Sequence, residues 1–91
     1  MPRAYRPEFV PPISLRDLDV QAIASVCAAW PDLEALDPKA PEQFRFGCQG
    51  TIVVGYVSSA MVQGTSRPHM EEIAQAIRTR VAQLDTTRRN L

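Results

Sequence analysis

The side chains best suited to nucleophilic chemistry in this 91-residue chain are the thiol of Cys48 and the imidazole of His69. A thiol becomes a strong nucleophile when an imidazole within hydrogen-bond reach takes its proton and a third group orients the ring. Neither residue belongs to a known nucleophile motif, and His69 is the only histidine. We therefore interpret Cys48 as a structural cysteine and predict no catalytic residue and no enzyme activity. A small cysteine-dependent enzyme is the alternative.

Other residue groups give little support for a metal or cofactor site. Asp32, Glu34 and Asp37 are close in sequence but lack the glycine and carbonyl pattern of a calcium loop. Cys27 and Cys48 are too far apart in sequence to form a zinc-ligand motif. The glycines have neither the GxGxxG spacing nor the lysine of a phosphate-binding loop. We predict neither a bound metal nor a cofactor.

The charges balance over the whole chain but are unevenly distributed. Ten basic and ten acidic residues give a net charge of zero, so there is no general attraction to nucleic acid or anionic lipid. Residues 1–16 hold three arginines and one glutamate, residues 17–42 six acids and one lysine, and residues 43–91 six arginines and three acids. This acidic middle between basic ends favours pairing with another copy or with a partner, although solvated surfaces would look the same.

The cellular setting that we expect follows from the cysteine pattern and the apolar runs of the sequence. Its two cysteines form no CxxC pair, and the first residues contain no apolar core of a signal peptide. No apolar run approaches the ~20 residues that a membrane-spanning helix needs. We expect a cytoplasmic protein, or one incorporated in a larger particle, that is neither secreted nor membrane-bound.

Residues 1–13 are predicted to form an extended, proline-rich arm. Four prolines oppose helix formation there. Apolar side chains are interspersed with them, namely Tyr5, Phe9, Val10 and Ile13. A stiff arm with apolar anchors loses less entropy on docking than a flexible tail. Docking on a partner and packing on the chain's own domain are both consistent with this composition.

Two helical segments are predicted. The first begins at Ser14, where Ser14 and Asp17 approach a capping box, and its apolar face runs to Trp30, which we expect in the core. A short helical turn is expected over residues 32–36. The second helix covers residues 68–84, with Ser66 or Arg67 as its cap and an apolar stripe facing the core.

Between the helices the pattern changes to that of strands. Residues 43–48 alternate in polarity and residues 51–57 are rich in β-branched side chains, with Gln49 and Gly50 as the turn between them. Residues 60–63 are a candidate third strand. The predicted fold is α+β in the order α-β-β-(β)-α, with two helices packed on a two- or three-stranded antiparallel sheet. Residues 14–84 form the single domain, after the arm and before a polar tail over residues 85–91.

This order resembles the topology of double-stranded-RNA-binding domains, in which residues 64–67 would precede the last helix. The resemblance implies nucleic-acid binding as an alternative function. Those domains place a lysine cluster at that position, whereas this chain has Glu71 and Glu72, which repel phosphates. Any nucleic-acid contact would come from the arginines of the C-terminal segment.

The absence of a chemical site, the anchored arm and the segregated charges together predict a non-catalytic protein-binding module. It would serve as a small subunit, accessory or structural factor of a larger assembly; a virion component and an inhibitor of a host complex both fit. A homo-oligomer is consistent with the charges. Interfaces concentrate aromatic and arginine side chains. The predicted partner-binding residues are Tyr5, Arg6 and Phe9 on the arm, and Arg78, Arg80, Arg88 and Arg89 near the C-terminus.

Overall fold

A computed structural model of the chain describes residues 10–89, with side chains over residues 10–84. The elements in chain order are β1 (Ile13–Ser14), α1 (Val20–Ala29), β2 (Glu34–Leu36), β3 (Phe44–Cys48), β4 (Thr51–Gly55), β5 (Ala60–Gly64) and α2 (Arg67–Arg89). The five strands form one antiparallel sheet in the order β1-β5-β4-β3-β2. Neither helix in this part of the chain is long and apolar enough to cross a membrane.

The predicted α+β class and the two helices are confirmed, but the predicted number of strands was too low. The sheet has five strands because β1 and β2 add to its two edges. These strands contain only two and three residues. A run that short has no detectable period, so its conformation is decided by its partner strand.

The predicted start of the first helix at Ser14 was wrong. Ser14 lies in β1 opposite Met61. The N-cap of helix α1 lies five residues later, at Asp19, whose carboxylate accepts a hydrogen bond from the Ala22 amide at 3.0 Å. The capping-box pattern depends only on residues that are close in sequence. The backbone here is instead bonded to a distant strand, because the Leu15 amide donates to the Ala60 carbonyl at 2.9 Å.

The helical turn predicted over residues 32–36 was also wrong, because most of this segment is the edge strand β2. Ala35 pairs with Phe46, and Leu36 pairs with Arg45. Pairing with β3 satisfies backbone groups that one isolated helical turn would leave largely unpaired. The acidic side chains in this segment therefore flank a sheet edge.

The β3–β4 hairpin forms where it was predicted. Gln49 and Gly50 have φ values of 46° and 86°, the pair of positive values found in a type I′ turn. This tight connection sets the register in which Cys48 lies opposite Thr51. Farther along the same pair of strands, the Phe44 ring covers Gly55, where any Cβ would overlap the ring.

The core lies between one face of the sheet and both helices. Helix α2 begins after Ser66, whose hydroxyl accepts the His69 amide at 3.4 Å, and it runs beyond the predicted end at residue 84 to Arg89. The core cluster combines residues of the sheet with those of both helices: Val53, Ala60 and Val62 from the strands, Ala22, Ile23, Val26 and Cys27 from α1, and Met70, Ile73, Ala74, Ile77 and Val81 from α2.

Replacing the observed cap and the predicted cap of α1 should have different consequences. We expect Asp19→Ala to lower the free energy of unfolding by about 1 kcal/mol, because the Ala22 amide loses its acceptor. Ser14→Ala is the matched control and should change stability little, because β1 uses the backbone of Ser14. Urea unfolding followed by circular dichroism measures both. Equal losses in the two variants would contradict this assignment of the cap.

Candidate functional site

A groove with a volume of about 590 Å³ opens where α2 begins beside the edge of the sheet. Three parts of the chain contribute to it: the end of α1 with the start of β2, the end of β3 with its turn, and the first turns of α2. The lining residues are Trp30, Asp32, Glu34, Gly47, Cys48, Gln49, His69, Glu72, Ile73 and Ala76.

Local geometry explains why these side chains converge. The amide of Leu33 donates to the carbonyl of Trp30 at 3.1 Å, so the chain turns back after α1 and carries Asp32 to the rim. On α2, the lining residues follow a spacing of three and four, which places them on one helix face. The groove is therefore assembled from parts of the chain that are distant in sequence.

A partly buried hydrogen bond joins α2 to the sheet beside the groove. The hydroxyl of Thr51 lies 2.6 Å from Nδ1 of His69, and Thr51 is only 2% exposed. A buried hydroxyl needs such a partner, because losing its water without one costs about 1–3 kcal/mol. Nδ1 is thus occupied, and Nε2 is the ring nitrogen left for a further partner. Sequence reasoning missed Thr51, although one polar residue on the inward face of a strand is a usable signal.

The structure brings Cys48 and His69 into the same groove, but no hydrogen bond links them among the described side chains. Thr51, the cross-strand partner of Cys48, orients the imidazole. Thr51 therefore supplies the orienting group that a thiol–imidazole pair needs. The hydrogen bond between the Cys48 thiol and the His69 ring is absent from the described side chains. Cys27 lies elsewhere, buried in the core.

The groove is acidic because its carboxylates form no ion pair with any of the described side chains. Among the described side chains, Asp17, Glu42 and Glu71 form ion pairs and Asp19 caps a helix. The four other carboxylates make no such contact, and three of them line the groove: Asp32, Glu34 and Glu72. Concentrated negative charge in a concave site attracts cationic groups. In residues 10–84, no cluster of three or more acidic, histidine or cysteine side chains has a geometry that could hold a metal ion.

Of the predicted partner-binding residues, Arg78 and Arg80 do not line the groove, although Arg80 contacts Trp30, which does. Arg78 donates to the Asp17 carboxylate at 2.7 Å and to the Ser14 carbonyl at 3.5 Å. The Arg80 guanidinium lies 4.2 Å from the centroid of the Trp30 ring, a cation–π contact. Both arginines thus have contacts within the chain, and whether they also bind a partner stays a prediction.

The remaining predicted residues are not described by the structure at the level of side chains. Tyr5, Arg6 and Phe9 lie outside the described residues altogether. Arg88 and Arg89 belong to the last turn of α2, but their side chains lie outside the described part. Their roles as partner contacts stay predictions as well.

Comparison with protein-family models, with curated proteins and with solved structures finds no match in any of the three. The function of the chain is therefore inferred from its groove and its surfaces.

The two cysteines should differ sharply in reactivity. Cys27 is 1% exposed, and burial raises the pKa of its thiol to about 12. We expect iodoacetamide at pH 8 to modify Cys48 in the folded protein and Cys27 only after unfolding, because the buried thiol is neither ionised nor accessible. Peptide mass spectrometry with and without urea measures this. Labelling of both residues at one rate in the folded protein would contradict it.

Proposed function

We propose that this chain is a non-catalytic protein-binding module, a small subunit or an accessory or structural factor of a larger assembly. A virion component and an inhibitor of a host complex are the kinds of protein that fit. The observation that carries the proposal is the groove, in which three carboxylates without a partner among the described side chains lie beside a partly apolar wall. Such a groove suits a basic segment of another protein.

The chemistry of the groove defines what it would bind. An arginine or lysine head group would pair with Asp32, Glu34 or Glu72, and its aliphatic stem would pack along Ile73 and Ala76. Arginine fits better than lysine, because its planar guanidinium bonds carboxylates through two parallel hydrogen bonds. A single exposed ion pair contributes only about 0–1 kcal/mol. Three carboxylates around one concavity also accelerate encounter with a basic partner and make binding sensitive to salt.

The arm and the C-terminal helix extend this proposed contact surface. We keep Tyr5, Arg6 and Phe9 as proposed anchors on a protein partner, together with Arg88 and Arg89. Arg78 and Arg80 would contribute from the positions at which their internal contacts hold them. We propose a location in the cytoplasm or within a larger particle.

Neutralising the three carboxylates of the groove should weaken binding of the basic partner. We expect the triple variant Asp32→Asn, Glu34→Gln, Glu72→Gln to recover at least about tenfold less of the partner, because a basic segment loses all three counter-charges. The matched control is Asp37→Asn, which neutralises the unpaired carboxylate that does not line the groove. Tagged wild-type and variant proteins are crosslinked in native lysate, and the co-purified proteins are quantified by mass spectrometry.

Two results would contradict this proposal. One is a partner recovered equally by the wild type and the triple variant at low salt. The other is an equal loss in the triple variant and in Asp37→Asn, which would indicate a general effect of net charge. Circular dichroism of each variant checks that the fold is retained.

A small cysteine-dependent enzyme is a second candidate, favoured by the oriented imidazole of His69 in the groove that also holds Cys48. A nucleophilic Cys48 would react with iodoacetamide faster than an unactivated thiol, and His69→Ala would slow it at least about tenfold. Equal rates in the wild type and His69→Ala would remove this candidate. The rate constants are measured between pH 6 and pH 9, with a cysteine-containing peptide as the reference.

Nucleic-acid binding, the other alternative, gains no specific support from the described residues. The guanidiniums of Arg45, Arg67 and Arg78 are engaged in ion pairs. The groove itself would repel a phosphate backbone. Salt-sensitive retention on a heparin column would be needed to revive this function.

A further inference from the structure

The sheet has a second apolar face that lies away from the helices. The core cluster takes Val53 and Val62 from the central strands, and the alternate residues of those strands point to the opposite side. We call that side the outer face and define it by Leu36, Arg45, Ile52, Val54 and Met61; the polar residues Ser14 and Gln63 lie beside them on the same side. Val54 is fully buried there and the other four defining residues are half-buried. Neither of the two described helices packs on this face.

The positive charge of Arg45 on the outer face is paired with a carboxylate of the same chain. Nε and Nη2 of Arg45 donate to the two carboxylate oxygens of Glu42, both at 2.9 Å. These bonds, helped by the Lys39 amide, lower the pKa of the Glu42 carboxyl from its ordinary value. A paired charge can be covered by another chain without leaving an uncompensated ion, which would cost far more. The outer face is therefore suited to burial.

The size of the outer face limits what can cover it. The five strands contain 20 residues, and at ~3.3 Å per residue and ~4.8 Å between strands they give a surface of roughly 300 Å². A stable protein interface buries about 800 Å² on each partner. Two outer faces packed against each other would bury this area only once on each partner, whereas a reciprocal exchange of segments buries one face and one segment on each partner. One extended segment of nine residues, up to about 30 Å long, would span the roughly 19 Å width of the sheet.

We propose that the outer face binds residues 1–9 of a second copy of this chain. This inference rests on the proposed function, since it names one contact by which the chain enters an assembly. Tyr5 and Phe9 supply aromatic side chains for the apolar surface. Arg3 and Arg6 match the acidic edge of the sheet, where the exposed Glu34 begins β2.

The prolines of the segment determine how it would bind. Pro2 and Pro7 have no amide hydrogen and cannot donate to a strand partner. The edge strand β1 has only two residues and follows Pro11 and Pro12, so it offers a poor template for a sixth strand. In the proposed complex the segment would therefore contact the outer face through its side chains instead of adding a strand beside β1.

The position of Val10 and Pro11 favours a neighbouring copy, instead of the same chain, as the source of the segment that binds the outer face. Val10 packs against the core cluster, which is on the helix side of the sheet. The Pro11 carbonyl accepts a hydrogen bond at 3.2 Å from Nη1 of Arg67, at the start of α2. The chain thus approaches its own sheet from the side opposite to the outer face. Each copy donates one segment and accepts another, an arrangement that closes as a reciprocal pair or a ring.

Sedimentation of the full-length protein over a range of concentrations tests this proposal. We expect the wild type to self-associate, and Met61→Glu to weaken association at least about tenfold by placing a charge in the apolar contact. Val57→Glu is the matched control, because Val57 is an apolar residue that is 80% exposed and lies outside the outer face. Phe9→Ala should reproduce the loss without altering the sheet.

A second measurement identifies the donor of the segment. In a mixture of ¹³C-labelled and unlabelled protein, isotope-filtered NMR should show contacts between the Phe9 ring and the Met61 methyl group of different molecules. A monomer at every concentration would overturn the proposal, as would association unchanged by Met61→Glu. Contacts found only within one molecule would also overturn it and assign the segment to its own outer face.

The groove provides the comparison that separates the two proposals. Asp32→Asn with Glu72→Gln should weaken capture of the basic partner and leave self-association unchanged, because neither residue lies on the outer face. Loss of self-association in this double variant would overturn the arm contact as proposed. Normal self-association with no captured partner would instead contradict the function assigned to the groove.

Discussion

Burial of one face of the antiparallel sheet under α1 and α2 is the constraint on which the rest of the structure depends. Val53 and Val62 lie in the two central strands and are almost completely buried against the helices. The apolar stripe of α2 loses its contact with water only by packing on that face, and hydrophobic burial is the main favourable contribution to folding. In a chain of this size the core is small, so each of these contacts is a large share of the whole.

The same constraint generates the groove. The core cluster ends near the β3–β4 turn, where Thr51 is the one polar side chain that is buried in the described part of the chain. His69 satisfies its hydroxyl and joins the first turn of α2 to β4. With the helix held there, Glu72 faces the acidic segment that follows α1. The groove is thus a consequence of how the helix and the sheet meet.

The distribution of charge has a similar origin in packing. Basic side chains of the described domain are mostly occupied, by ion pairs at Arg45, Arg67 and Arg78 and by the Trp30 ring at Arg80. Among the described side chains, three acids without such a contact line the groove together. The chain therefore has an acidic groove although its net charge is zero, so the net charge alone does not indicate this site. The proposed basic partner and the proposed exchange of the N-terminal segment both follow from this asymmetry.

The sequence by itself determined the features that depend on neighbours along the chain. The positive φ values at Gln49 and Gly50 suit a tight hairpin, and the three- and four-residue spacing of α2 marks its buried stripe. Cys48, His69 and the acids of residues 32–37 could be identified as chemical groups. Their grouping could not be predicted, because a groove made from three separate segments has no local pattern.

Only the tertiary structure decided the edges of the sheet and the site. Ile13 pairs with Val62, and Ala35 pairs with Phe46. Such pairing overrides a local capping pattern, because it satisfies backbone groups that a short helical turn would leave largely to water. The Thr51–His69 hydrogen bond likewise joins residues 18 positions apart. Propensity acts between sequence neighbours, whereas these contacts exist only after the sheet has brought distant segments together.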